Sequence, residues 1–218
     1  MWYGIISDVT ERKQAEEELL RNAEQLRRTL EGMVLAMSLV VESRDPYTAG
    51  HERRVAELAT AIAVEMGMED EELAALRLAG LIHDVGKVAV PSEILSKPGL
   101  LSEIEFSLIR QHPASGFDIL NAIDFGMRVA EIVLQHDERL DGSGYPRALT
   151  GEDMLPGARI LAVADIVEAM SSHRPYRAAL GMEAALAEIR EPVGVKYDAA
   201  VAAACVRLVE EQGFQFTP

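Results

Sequence analysis

Apolar residues recur at spacings of three and four through nearly the whole chain after residue 34, and that rhythm restricts the fold more than any other feature of the sequence. "RRVAELATAIAVEM", "EELAALRLAGLI", "EIEFSLIRQHPASGFDIL", "MRVAEIVLQH", "ARILAVADIVEAM", "MEAALAEI" and "AAVAAACVRLVEE" each present an apolar face at helical pitch. Beyond a strand-like start at Trp2 to Ile6, strand signals are confined to "KVAVP", a short extended piece closed by Pro91. The expected fold is mostly α, with loops around residues 86–99, 137–159 and 191–198, where glycine and proline gather. At 218 residues and 49% hydrophobic content the chain can bury a substantial core.

Ahead of the bundle runs a long charged segment without proline. Asp8 or Thr10 can cap its helix, with Glu11 in the first turn. Leu19, Ala23, Leu26, Leu30, Met33, Met37 and Val40 then follow one another at alternating spacings of four and three, a heptad seam. The last two turns run into the globular part, so a single amphipathic helix explains them as well. For the charged part before residue 30 the reading is a parallel two-helix coiled coil, which makes the chain a homodimer.

Charge and cysteine usage narrow the function. With 36 acidic against 21 basic side chains the net charge is −15, which opposes loose association with DNA or an anionic membrane. The single cysteine, Cys205, sits in "AAVAAACVRLV" and reads as a small buried hydrophobe, so a reducing, cytoplasmic setting is expected. No apolar run approaches the roughly 18 residues of a membrane span, and Met1 is not followed by a signal core.

Four histidines, His51, His83, His112 and His136, fall at the edges of apolar helices or in glycine-bearing turns. A lone histidine there is more often a core residue with a satisfied hydrogen bond than a ligand. Asp165, inside "ILAVADIVEAM", is harder to dismiss, because a carboxylate in so apolar a run costs several kcal/mol to desolvate unless it is paired, neutralised or bound to metal. Four imidazoles with at least two aspartates supply donors for two cations, and the adjacent pair His83 and Asp84 can face two ions from one helical turn, with Asp84 bridging. Mixed histidine and carboxylate donors suit Fe, Mn, Co or Zn better than Ca or Mg. Two such ions deprotonate a water and stabilise an in-line displacement at phosphorus, so phosphoester hydrolysis is the chemistry favoured.

Two resemblances attach to these motifs. "GIISDVTERKQAEEELL" resembles the end of a PAS sensor domain running into a signalling helix. "DPYTAGHERRV", "HDVGK", "HDERLDGSGYP" and "ILAVADIVEAMSSHRPYR" occur in the order found in the HD-GYP domain, a subgroup of the HD metal-dependent phosphohydrolases, over roughly residues 35–200. The resemblance implies an all-α fold, an HD-domain helical bundle with a long N-terminal coiled-coil helix. Its parts would be a PAS remnant at 1–13, a signalling helix at 14–34 and the HD-GYP domain at 35–218, with an upstream sensor domain as a partner. It also implies a phosphodiesterase that opens the bacterial messenger cyclic di-GMP to pGpG, and in many members on to GMP, by in-line attack of a metal-bridging hydroxide.

Carried over residue by residue, the resemblance makes His51, His83, Asp84, His112, His136 and Asp165 metal ligands, Asp84 bridging, for two divalent transition-metal ions, Fe or Mn first and Zn, Co or Ni next. Lys87 would meet a phosphate beside Asp84 in the catalytic pair, and Gly144, Tyr145, Arg174 and Arg177 would hold the substrate, with Asp141 and Arg139 fixing the loop. The chain departs from the pattern in four places. Asp137 replaces a second histidine and can still ligate, through oxygen. Tyr47 stands where three-metal members carry glutamate, which implies two ions and a halt at pGpG. His173 replaces a small polar residue, and "PVGVKYDAA" departs from the family's late motif while keeping Asp198 as a helix cap. Two rival readings stay open: a silent receptor that binds the dinucleotide, and a hydrolase of another cyclic dinucleotide or a nucleoside phosphate.

Overall fold

The computed structural model describes residues 10–44, 50–172, 180–191 and 194–217. The helices are α1 (Thr10–Glu42), α2 (His51–Glu65), α3 (Asp70–Ile82), α4 (Ser92–Leu95), α5 (Glu103–Ile109), α6 (His112–Leu120), α7 (Val129–Gln135), α8 (Pro156–Ser171), α9 (Met182–Arg190) and α10 (Ala199–Glu210). No strand occurs among the described residues, only an isolated bridge between Asp141 and Thr150. The all-α expectation holds. None of these helices is long and apolar enough to cross a membrane.

The chain divides into two compact units, Met1–Ala36 and Met37–Pro218. In the first, α1 carries ion pairs one turn apart, Arg28 to Glu24 at 2.7 Å and Arg21 to Glu17 at 3.9 Å. Leu19, Leu26, Leu30 and Met33 of the heptad seam are all more than half exposed in the single chain. The sensor remnant, including Trp2 to Ile6, lies outside the described residues.

The second unit is built on α2, which packs against α3 and α8; α6 lies across α7 and a 3-10 turn at Val85–Ala89. Leu58 and Ile62 of α2, Leu76 of α3, and Ile160 and Leu161 of α8 are fully buried where these helices meet. Acidic Asp70, Glu71 and Glu72 open α3, and Asp198 caps α10 by accepting from the N–H groups of Ala200 (2.9 Å) and Val201 (3.2 Å). Cys205 is buried and free, as expected.

Two local expectations are corrected. "KVAVP" forms no strand: Lys87 N–H donates to the Asp84 carbonyl at 2.8 Å and Val90 N–H to that of Lys87 at 3.0 Å, which winds the segment into the 3-10 turn. "EIEFSLIRQHPASGFDIL" is two helices. Pro113 has no N–H to give the Ile109 carbonyl, so α5 stops there and α6 starts with the proline in its first turn. A side chain at Gly86 would collide with the His112 carbonyl and Gly116 N, so only glycine lets the 3-10 turn lie directly on α6. That contact sets Asp84 beside His112.

Candidate metal centre

Three of the four histidines are oriented by one device. His83 Nδ1 bonds the Gly80 carbonyl at 2.9 Å, His112 Nδ1 that of Ile109 at 2.9 Å, and His136 Nδ1 that of Val133 at 2.7 Å. Each acceptor lies three residues back, in the last turn of α3, α5 or α7, where backbone carbonyls lack helical partners. The Ile109 oxygen is the one that Pro113 leaves free. With Nδ1 spent on a carbonyl, each ring turns its Nε2 inward, the nitrogen a metal ligand would use.

The inward atoms form two donor groups with one shared member: His51, His83 and Asp84, then Asp84, His112 and His136, all buried, with donor atoms within 4.8 Å of one another in each group. Asp84 Oδ1 stands 3.2 Å from His112 Nε2 and Oδ2 stands 3.7 Å from His83 Nε2; the two Nε2 atoms of His112 and His136 are 3.2 Å apart. Such nitrogen and carboxylate sets fit divalent transition metals. His83 and Asp84 lie in the turn just past the end of α3 rather than within the helix; His83 belongs to the first group and Asp84 to both.

His51 is held differently. Its Nδ1 pairs with Glu168 Oε2, and its Nε2 lies 3.1 Å from Asp165 Oδ1, which is also 4.0 Å from His83 Nε2. Burial opposes a charge on this ring, but Asp165 and Glu168 outweigh it and push its pKa up to about 9. A cation between His51 and Asp165 would take that proton's place. The Asp165 side chain is 22% exposed, so its environment is less apolar than its neighbours in sequence suggest. Glu168 is the deeply buried one, at 1%, held by Arg54 at 2.7 Å and the Ser172 hydroxyl at 2.7 Å.

The charges are mutually set. Burial works against ionised Asp84, but Lys87, at 2.6 Å, and the rings of His83 and His112 hold it well below the usual carboxylate range. Burial pulls His83 down to about 4, so it is a neutral imidazole. For His112, burial is outweighed by the hydrogen bond to Asp84 and the charges of Asp84 and Asp137, and its pKa rises. Glu52, beside His51, is buried and hydrogen-bonded to Ser38, and burial with the Asp84 and Glu42 charges pushes it up to about 9.

Asp137 joins the second group, with Oδ2 3.5 Å from His112 Nε2 and 3.4 Å from His136 Nε2. Tyr145 is hydrogen-bonded to it, and burial together with that anion raises the phenol's pKa, so the hydroxyl stays a donor. The loop that carries Tyr145 is pinned by Glu138, fully buried, which accepts from Arg147 N–H at 2.6 Å and Leu149 N–H at 3.0 Å. A Cβ at Gly144 would meet the backbone of Asp137, Glu138 and Arg139, so the loop folds flat on its own start. Asp141 caps the turn through Ser143, and Arg139 bonds the Glu138 carbonyl at 2.9 Å.

The structure thus gathers His51, His83, Asp84, His112, His136, Asp137 and Asp165, with Lys87 and Tyr145 at the rim. Tyr47, His173, Arg174 and Arg177 lie outside the described residues. Glu168 and Glu138 went unnoticed in the sequence. The apolar run that singled out Asp165 contains Glu168 three residues on, so the same desolvation argument applies to it.

A family model described as HD domain matches residues 36–201. The chain is 40% identical over 169 residues to 3'3'-cGAMP-specific phosphodiesterase 3 of Vibrio cholerae, covering 78% of this chain and 37% of that protein. It is 40% identical over 177 residues to a cyclic di-GMP phosphodiesterase of Thermotoga maritima, covering 80% of this chain and 48% of the relative. The chain therefore spans about half the length, or less, of these curated relatives. Among solved structures, an HDG"Y"P protein from Bdellovibrio bacteriovorus superposes with a TM-score of 0.60 at 22% identity, covering 73% of this chain and 51% of that one, which speaks for the fold. The Vibrio cholerae cyclic GMP-AMP-specific phosphodiesterase V-cGAP3 gives 0.54 at 32% identity, covering 86% and 42%. With the family model covering most of its length and the paired histidine and aspartate donors in place, the chain belongs to the HD-domain family, among relatives that are phosphodiesterases of the HD-GYP type.

Proposed function

We propose that the chain is a metal-dependent phosphodiesterase that opens cyclic di-GMP to pGpG. The observation that carries this is the pair of donor groups sharing Asp84 next to a pinned loop that presents Tyr145. Two divalent cations, Fe or Mn by preference, would be held by His51, His83, Asp84 and Asp165 on one side and by Asp84, His112, His136 and Asp137 on the other. When bound, such a pair polarises phosphoryl oxygens and supplies a nucleophile from water near neutral pH.

The chain's own groups do the rest. Asp84 fixes the spacing of the two halves. Neutral His83 offers a lone pair without first losing a proton. Lys87, paired with Asp84 at 2.6 Å, supplies the positive charge for a non-bridging phosphate oxygen, and Tyr145 donates its hydroxyl at the loop side. Arg174 and Arg177 would hold the second phosphate and a base, with Gly144 allowing the loop backbone to approach. In the reaction one P–O bond to a ribose 3'-oxygen breaks and one P–O bond to a water oxygen forms, leaving a 5'-phosphate and a 3'-hydroxyl.

The N-terminal assignment is part of the proposal: residues 1–13 end a PAS sensor, 14–34 pair with the same helix of a second copy, and 35–218 are the catalytic domain, working in the cytoplasm. The exposed seam of Leu19, Leu26 and Leu30 supports the pairing. A variant with all three changed to polar residues should sediment as a monomer; a dimer would refute the coiled coil.

The activity test is purification under anaerobic conditions with Mn or Fe, a count of bound metal, and chromatography of cyclic di-GMP, beside a H83A/D84A control. Two ions and pGpG only in the unmutated protein are expected. Metal-loaded protein that binds the dinucleotide without turnover would make it a receptor, the reading that the Asp137 anion favours. Relatives named for 3'3'-cGAMP favour another dinucleotide, which a substrate panel decides.

A further inference from the structure

Phe106 and Arg110 stand four residues apart at the end of α5, on one helix face. The Arg110 guanidinium lies 4.5 Å from the centre of the Phe106 ring and 5.7 Å from that of Tyr145. These two rings meet edge to face at 6.4 Å, and Tyr145 is 6.4 Å from the His112 ring. A row of flat groups therefore leads from the second donor group out to the surface.

Folding does not account for this row. Phe106 is 39% exposed and Arg110 is exposed, so little apolar area is covered. Arg110 has no carboxylate partner among the described residues, unusual for a cation in a chain of net charge −15. Yet α5 is firmly held: Ser102 and Glu105 form a capping box, and Lys97 bonds both Glu105 oxygens at 2.7 Å. The capped helix α5 thus presents an aromatic face and a guanidinium with no carboxylate partner among the described residues beside the candidate metal centre.

We propose that Phe106, Tyr145 and Arg110 form a purine subsite in which one base of the cyclic dinucleotide lies against the rings and Arg110 selects guanine. The inference rests on the phosphodiesterase reading above. Stacking on an aromatic ring accepts any base. The guanidinium fork does not, because guanine offers two acceptors, O6 and N7, where adenine sets an amino donor against one of Arg110's own donors. Lysine keeps the charge and loses the fork.

The test compares kcat/KM for cyclic di-GMP, 3'3'-cGAMP and cyclic di-AMP in the unmutated protein and in R110K, R110Q and F106L, each checked for equal metal content. Both Arg110 variants should lower the preference for cyclic di-GMP over cyclic di-AMP by roughly ten- to hundredfold. F106L should raise KM for all three substrates by roughly five- to tenfold and leave the ratio in place. An unchanged ratio in R110Q, or a full ratio in R110K, overturns guanine reading by Arg110. Should the metal-loaded unmutated protein turn over none of the three, the phosphodiesterase reading falls, and saturation-transfer NMR with GMP and AMP decides the subsite separately. A preference for GMP that R110Q abolishes supports it there, and equal binding of both nucleotides overturns it.

Discussion

Changing Asp84 to asparagine tests the point where the two halves of the centre meet. Asp84 is the member common to both donor groups, so D84N removes a carboxylate from each, whereas H112A removes one imidazole from one group. At free metal a hundredfold above its dissociation constant, each ion stabilises the native chain by about 2.7 kcal/mol. For a chain of this size 1 kcal/mol moves Tm by roughly 2–4 °C, so two ions together raise it by about 10–20 °C. The assay is Tm with saturating Mn minus Tm in EDTA for each variant, alongside bound metal by mass spectrometry. Taking the difference within each variant removes the separate effect of D84N on Lys87, whose ammonium loses its 2.6 Å partner. H112A should keep about half of the rise and one ion; D84N should keep almost none of either. Two retained ions in D84N would refute the shared carboxylate. Equal losses in H112A and D84N would refute the independence of the halves.

Three further outcomes follow from the geometry. E138A removes the acceptor for Arg147 and Leu149 N–H, and should cost about 1–3 kcal/mol in urea unfolding while speeding proteolysis between residues 139 and 149. D137H exchanges a hard oxygen donor for an imidazole beside His112 and His136, so competition dialysis should show preference moving from Mn toward Zn, Ni or Fe. Burial pushes the Cys205 thiol up to about 12, so the native thiolate is scarce at pH 8 and iodoacetamide labelling should run on the order of a thousandfold slower than in urea. The same shift means that any stability from this thiol is complete below its unfolded value near 9 and is lost as pH rises above it.

Helix content and the donor set were legible because both rest on local pattern. A spacing of three and four survives in any window of the sequence, and Asp165 is conspicuous among apolar neighbours. The misreadings arose where a distant group decides a local choice. Whether "EIEFSLIRQHPASGFDIL" is one helix or two turns on Pro113, and the break then supplies the carbonyl that orients His112. "KVAVP" has the composition of a strand, but no strand lies beside it among the described residues and Gly86 packs it on α6. Glu138 looks like an ordinary solvated carboxylate in the sequence, and Glu168, though it shares the apolar run of Asp165, belongs to no motif. Only the fold shows that Glu168 has a histidine and an arginine waiting for it, and that Glu138 faces two backbone N–H groups of its own loop.

The charge of the assembled site gives Asp137 a meaning beyond a missing histidine. With the four imidazoles neutral, Asp84, Asp137 and Asp165 against Lys87 leave the donor set two charges negative. On the phosphodiesterase reading proposed above, two divalent cations would make it two charges positive, which would balance the two phosphodiester charges of a cyclic dinucleotide. With a histidine at 137 the loaded site would carry three positive charges, one in excess of its substrate. Part of that excess would act on the bound dinucleotide before any bond changes, and stabilising the ground state and the transition state equally lowers KM without raising kcat. On that reading Asp137 would weaken substrate capture as well as the polarising power of its ion, and its proximity to His112 and His136 would confine that effect to the half of the centre that Tyr145 also touches.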